Sequence, residues 1–225
     1  MSGVLITGTD TGVGKTLVCR HLAAYLRGLG VKVITQKWVQ TGGGDDIAEH
    51  GPPDGAGLSL AALRVPYRLA HPSSPHLAAR RQGAAIDIAR IRSAYAGLAR
   101  RCDLVLVEGT GGLLVPLTER VLLADVAAQL ALPVVIVAAN KLGCINHALL
   151  SLEAARSRGL RVLGLIFNRA AGGGEEAVLR DNPRIVAALG RAPVLGEMSG
   201  PDADAAAFRP IGEAILRRWK KLAHE

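Results

Sequence analysis

The segments LVLV (104–107) and VVIV (134–137) are apolar at every position, so neither face of the strands they form can meet water. Strands buried on both faces belong in the middle of a parallel sheet covered by helices on each side. Further short β-branched runs lie at 4–7, 31–36, 162–167 and 193–195, and the second of the two opening runs extends to 138. Helix-length stretches alternate with them at 16–29, 86–101, 147–158, 175–189 and 208–222. Within 86–101, Ile88, Ile91, Tyr95 and Leu98 recur at spacings of three and four, which gives one buried stripe. Strand followed by helix, over and over, predicts a three-layer α/β/α fold: a mostly parallel sheet with helices on both faces.

The 225 residues suit one domain spanning 1–225, long enough to bury a full core. The most apolar stretch, 121–139, is interrupted by Asp125, Gln129 and Pro133, so it reads as a buried helix followed by a buried strand rather than a membrane span. The N-terminus has no basic patch ahead of an apolar run, so no export signal is expected and the cytoplasm is the expected compartment. Cys19, Cys102 and Cys144 are scattered without a CxxC pair, which points to reduced thiols. A net charge of +8 raises the question of a nucleic-acid partner. The arginines are spread along helical segments and aromatic residues are only 3% of the chain, too few to stack bases, so neither nucleic acid nor membrane is expected as a partner. The Gly/Pro-rich stretch 42–57 reads as a long loop or lid.

Directly after the first strand comes GTDTGVGKT (8–16). A glycine-bearing loop that enters a helix lets backbone N–H groups converge on phosphate oxygens, and the helix N-terminus adds a favourable dipole. Lys15 then reaches the outer phosphates and Thr16 offers its hydroxyl to Mg²⁺. The pattern is a variant, because Thr9 stands where the usual spacing wants glycine and Gly8 comes one residue early. Metal binding also calls for a carboxylate at a neighbouring strand end. Glu108 follows LVLV and precedes Gly109, Gly111 and Gly112. Lys37 ends the second strand, with Thr41, Asp45 and Asp46 close behind; ligands of open α/β sheets sit at such strand ends. In KLGCINH (141–147), Gly143 breaks the chain and Asn146 is placed to cap the next helix, a local arrangement that suits a carboxylate.

Taken together and in this order, GTDTGVGKT, QKWVQTG, VEGTGGLLVPL and KLGCINHALLSLEAA resemble the dethiobiotin synthetases, ATP-dependent cyclo-ligases of the P-loop NTPase superfamily, over about the first 170 residues. The resemblance implies the carboxylation and ring closure of 7,8-diaminononanoate with CO₂ and MgATP, giving dethiobiotin, ADP and phosphate in biotin biosynthesis. It implies catalytic roles for Lys37, Lys15 and Thr11. ATP contacts fall on Gly12, Val13, Gly14, Lys15, Thr16, Leu17, Glu108, Gly109, Gly111 and Asn168, the last matching an adenine-contacting asparagine. Substrate contacts fall on Thr11, Lys37, Thr41 and the segment Gly143, Cys144, Ile145 and Asn146, the segment acting across a homodimer interface. Thr16, Glu108 and one loop aspartate hold Mg²⁺: Asp46, with Asp45 and Asp54 as alternatives. Three positions depart from the pattern. Trp38 replaces a proline and sets a bulky ring beside Lys37, Gly12 replaces an acid found in some members, and GEMSG replaces Gly-Glu-Ile-Pro near the base-recognition loop. The rival reading is a partitioning or positioning ATPase of the same superfamily, which carries a second lysine early in its phosphate loop; there is no lysine between Gly8 and Gly14. A ligase related to the cobalamin amidotransferases is a further rival, but it needs a glutaminase domain for which no segment is seen.

Overall fold

The computed structural model describes residues 2–51, 60–169, 174–200 and 205–223. Six strands, β1 (Gly3–Gly8), β2 (Val33–Lys37), β5 (Leu104–Gly112), β6 (Val134–Asn140), β7 (Val162–Arg169) and β8 (Val194–Met198), form one sheet in the order β2-β5-β1-β6-β7-β8. Every pairing in it is parallel. A separate parallel pair joins β3 (Val39–Thr41) to β4 (Tyr67–Leu69); neither short strand was expected from the sequence. Three residues are too few to show a period, and both strands sit in segments without an apolar run.

The apolar strands are explained by alternation. Leu104 and Leu106 of β5 point into one core with Val4, Ile6, Val135 and Val137, while Val105 and Val107 point into the other with Leu5, Val134 and Ile136. Helices α1 (Lys15–Gly28) and α9 (Ala205–Ala223) cover the first face through Val18, Leu22, Leu26, Phe208, Ile211 and Ile215. The second face is covered by α4 (Pro75–Arg81), α5 (Ile88–Ala99), α6 (Leu123–Gln129), α7 (Cys144–Arg156) and α8 (Glu176–Gly190). The three layers expected from the sequence are present.

Several boundaries differ from expectation for local reasons. Helix α5 starts at Ile88 because the Asp87 side chain accepts from the Ala89 N–H at 2.8 Å and caps it. Helix α7 starts at Cys144, three residues early, because Gly143 takes φ 89° and turns the chain there. Asn146 therefore lies inside the first turn and caps nothing. Strand β5 runs on to Gly112, so Glu108 is a strand residue rather than the start of a loop. The stretch 42–57 contains the single turn α2 (Asp46–Glu49), and its part from 52 on lies outside the described residues; the short α3 (Ala61–Arg64) follows. Cysteines 19, 102 and 144 are all free thiols. Among the described residues no helix is long and apolar enough to cross a membrane.

Trp38 corrects a further expectation. Its ring is 1% exposed, packs into the core beneath β3 and β4, and donates from Nε1 to Gln36 Oε1 at 3.1 Å. Trp38 is the bend residue between β2 and β3; its ring is taken up by that core while Lys37 lines the cleft. Trp38→Ala is expected to lower unfolding free energy by about 3–5 kcal/mol, as large aromatic truncations in cores do; urea denaturation read by far-ultraviolet circular dichroism checks this.

Candidate active site

Register brings the chemistry together. Glu108 pairs with Ile6 of β1 on one side and with Lys37 of β2 on the other, so the two charged side chains emerge side by side at the carboxyl edge of the sheet. The turn from β1 to α1 passes over the same edge. A cleft of about 710 Å³ opens there, lined among others by Thr11, Gly12, Gly14, Lys15, Thr16, Leu17, Lys37, Thr41, Asp46, Glu108, Gly111 and Asn168. That volume is in the range of small-molecule sites.

The turn is built for an anion. Gly12 and Gly14 take φ 71° and 102°, left-handed values that L side chains rarely adopt, and Gly14 is the residue before α1. A Cβ at Gly14 would also collide with the Asn168 amide. Among the described residues no side chain caps α1, so its first N–H groups stay available. Lys15 is 6% exposed and folds back to donate to the Asp10 carbonyl at 2.8 Å. Burial, opposed by Glu108 and reinforced by Lys37, lowers its pKa to about 8.

Beneath the turn lies a buried charge network. Thr16 donates to Glu108 Oε1 at 3.0 Å, and Lys37 Nζ reaches the same oxygen at 2.7 Å and also pairs with Asp46 Oδ2. His50 Nε2 lies 2.7 Å from Glu108 Oε2. Burial alone would raise the Glu108 carboxyl, but the His50 and Lys37 contacts outweigh it and hold the pKa at about 2. Burial would likewise lower Lys37; Glu108 and Asp46 outweigh that and push it above its ordinary value. The hard oxygen donors Thr16, Glu108 and Asp46 fit a magnesium ion, since a cation, the Lys37 ammonium, already bridges the two carboxylates.

Not every predicted residue meets in the cleft. Val13 is 3% exposed with its side chain turned into the core, and its carbonyl accepts from Asn168 Nδ2 at 3.0 Å. Gly109 packs between the Ile6 carbonyl and Leu123 and does not line the cleft. Of the three aspartates, Asp46 lines it, Asp45 instead pairs with Arg68 at 3.3 Å on the surface, and Asp54 lies outside the described residues. Gly143, Cys144, Ile145 and Asn146 are apart from it; Cys144 is buried in the core and Gly143 and Asn146 are exposed. A second pocket of about 360 Å³ begins at Thr9–Thr11 and runs past Leu113, Leu114 and Val115 to His147 and Leu150 of α7. Thr11 lines both. Sequence reasoning missed His50, whose position four residues after Asp46 places it on the same side of a helical turn. It also missed Arg20, Gln40, Glu49 and Thr110 of the cleft wall, which carry no pattern of their own.

Comparison with known proteins agrees with this geometry. The AAA domain family model matches residues 2–202. The ATP-dependent dethiobiotin synthetase BioD of Chlorobaculum tepidum is 44% identical, covering 84% of each chain. That of Janthinobacterium sp. (strain Marseille) is 37% identical over 96% of each. The chain belongs to the dethiobiotin synthetase family. Among solved structures it is similar to the MinC:MinD cell division protein complex of Aquifex aeolicus (TM-score 0.60, 19% identity, 100% of this chain and 97% of that one). It is also similar to a ParA family ATPase from Chlorobium tepidum (TM-score 0.56, 14% identity, 98% and 93%). At such identities these two show the shared fold alone, whereas the synthetase relatives show the family.

A triphosphate seated in this loop favours the charged form of Lys15. Because the free lysine loses its proton as pH rises through about 8, ATP binding at pH 8 is expected to take up roughly half a proton, falling toward none near pH 6.5. Calorimetry in two buffers of different ionisation enthalpy measures this, and zero uptake at pH 8 contradicts the shift.

Proposed function

We propose that this chain acts, as a single domain in the cytoplasm, as a dethiobiotin synthetase: it carboxylates 7,8-diaminononanoate and closes the ureido ring at the expense of ATP. The observation that carries the reading is the pairing of two cations, Lys15 and Lys37, around one cleft, in a chain that is 37–44% identical overall to dethiobiotin synthetases.

In this reading N7 of the diamine adds to CO₂ and releases a proton to give a carbamate. A carbamate oxygen attacks the γ-phosphorus and ADP leaves; N8 then attacks the carbonyl carbon, loses a proton and expels phosphate. Two anions must approach each other before phosphoryl transfer. Lys37 reaches the space between the carbamate and the γ-phosphoryl group, and Lys15 neutralises the outer phosphates. Thr16, Glu108 and Asp46 would hold Mg²⁺, which when bound neutralises charge on the phosphate oxygens. Thr11 and Thr41 supply hydroxyls to the carbamate or phosphate, Gly111 lets backbone approach closely, and Asn168 stands at the base-binding edge. Thr11 joins the cleft to the second pocket, whose apolar walls suit the alkyl chain of a nonanoate. The chain's far carboxylate then falls to Gly143–Asn146 of a second copy. A homodimer is supported by Leu142, Leu114 and Leu150, which leave 86%, 45% and 55% of their surface exposed around that segment.

Incubating purified protein with diaminononanoate, bicarbonate and MgATP and weighing the products by mass spectrometry tests the reaction: dethiobiotin is expected. Lys37→Gln is expected to cut turnover about 100- to 1,000-fold, the scale of losing one electrostatic stabiliser; near-normal turnover sinks its role. Asp46→Asn is expected to raise the Mg²⁺ concentration needed for half-maximal rate, and an unchanged requirement moves the metal to another acid. Leu150→Glu is expected to shift sedimentation toward the monomer.

A further inference from the structure

The wall behind the proposed magnesium ligands contains groups that the reaction above does not use. Cys19 of α1 and His50, after α2, lie against Glu108, and the three are 0%, 1% and 2% exposed. One ligand atom from each, the thiol sulfur, an imidazole nitrogen and a carboxylate oxygen, lies within 4.8 Å of the other two. The carboxylate is two-sided: Oε1 receives Thr16 and Lys37, while Oε2 is turned to His50 Nε2 at 2.7 Å. Both His50 nitrogens and Glu108 Oε2 are buried and, among the described residues, make no well-formed hydrogen bond, the 2.7 Å approach of Nε2 to Oε2 included. A buried polar nitrogen left unpaired is costly and calls for an occupant.

We propose that Cys19, His50 and Glu108 form a binding site for a thiophilic divalent cation of the zinc and cadmium class. Sulfur, nitrogen and oxygen donors together suit such an ion and not magnesium, which takes oxygen donors. Ligands 2.0–2.3 Å from a tetrahedral ion stand about 3.3–3.8 Å apart, so the widest separation must close, and a 2.7 Å His50–Glu108 approach must open, by about an ångström or less, within reach of side-chain rotation. On binding, the Cys19 thiol exchanges its proton for the sulfur–metal bond, the proton leaves to solvent, and water from the cleft supplies the fourth ligand. The consequence for catalysis rests on the dethiobiotin synthetase reading: an ion on Oε2 draws charge from the one carboxylate whose Oε1 faces Thr16 and Lys37 and would hold Mg²⁺, and turnover falls.

The test titrates chelator-treated protein with CdCl₂, following the ultraviolet charge-transfer absorption of a cadmium–thiolate bond, with bound metal counted by equilibrium dialysis. The expected result is a band saturating at one Cd²⁺ per chain that is lost in Cys19→Ser and kept in the Cys102→Ser/Cys144→Ser double variant. His50→Gln, with circular dichroism confirming the fold, is expected to weaken Cd²⁺ binding at least tenfold. A band that survives Cys19→Ser, or an affinity unmoved by His50→Gln, overturns the site. Dethiobiotin formation is then measured with the site filled and empty; equal turnover overturns the placement of the ion on Glu108. A chain that forms no dethiobiotin under any condition removes the proposed reaction, while the absorption titration by itself still decides the cation site.

Discussion

The contact between Lys37 and Glu108 organises this molecule. Both are buried, at 5% and 2% exposure, where an unpaired charge is expensive, and each relieves the other. They meet because β2 and β5 are parallel and in register, so that the last residue of β2 and a residue within β5, 71 apart in sequence, pair directly. Around that pair the remaining polar groups find their places. Thr16 descends from the first turn of α1, Asp46 arrives from α2, and His50 closes the far side of the carboxylate.

The pairing also sets the electrostatics of the cleft. A carboxylate held ionised at about pKa 2 keeps one negative charge at the floor, while a lysine lowered to about 8 lies within the glycine turn above it. The floor therefore attracts cations and the turn attracts anions. A metal–triphosphate complex carries both signs in that order, and a strand-loop-helix joint is the simplest way to present them together. The apolar second pocket, beginning at Thr11, adds a neutral surface to the same entrance.

Much of this was legible in the chain. The doubly apolar strands announced a buried parallel sheet, and each of the six strands expected is found in it, because a strand between two helical layers must be apolar on both faces. The glycine turn with Lys15 and Thr16 was legible for a similar reason: positive φ and a close phosphate demand particular residues at particular spacing. Illegible were the short strands β3 and β4, the burial of Trp38 away from Lys37, and the start of α7 at Cys144 instead of beyond Asn146. Each is decided by what packs nearby, and three residues or one ring hold no periodic signal.

The sequence by itself determined the layer order, the phosphate-loop chemistry and the family, since these depend on residue type and local spacing. Only the tertiary structure decided which carboxylate meets which cation: that Asp46 rather than Asp45 pairs with Lys37, that Val13 and Gly109 turn away from the cleft, and that Cys19 and His50 stand behind Glu108. The reason is geometric. Strand register and helix docking fix distances between residues far apart in the chain, and a side chain's charge acts over those distances rather than along the sequence.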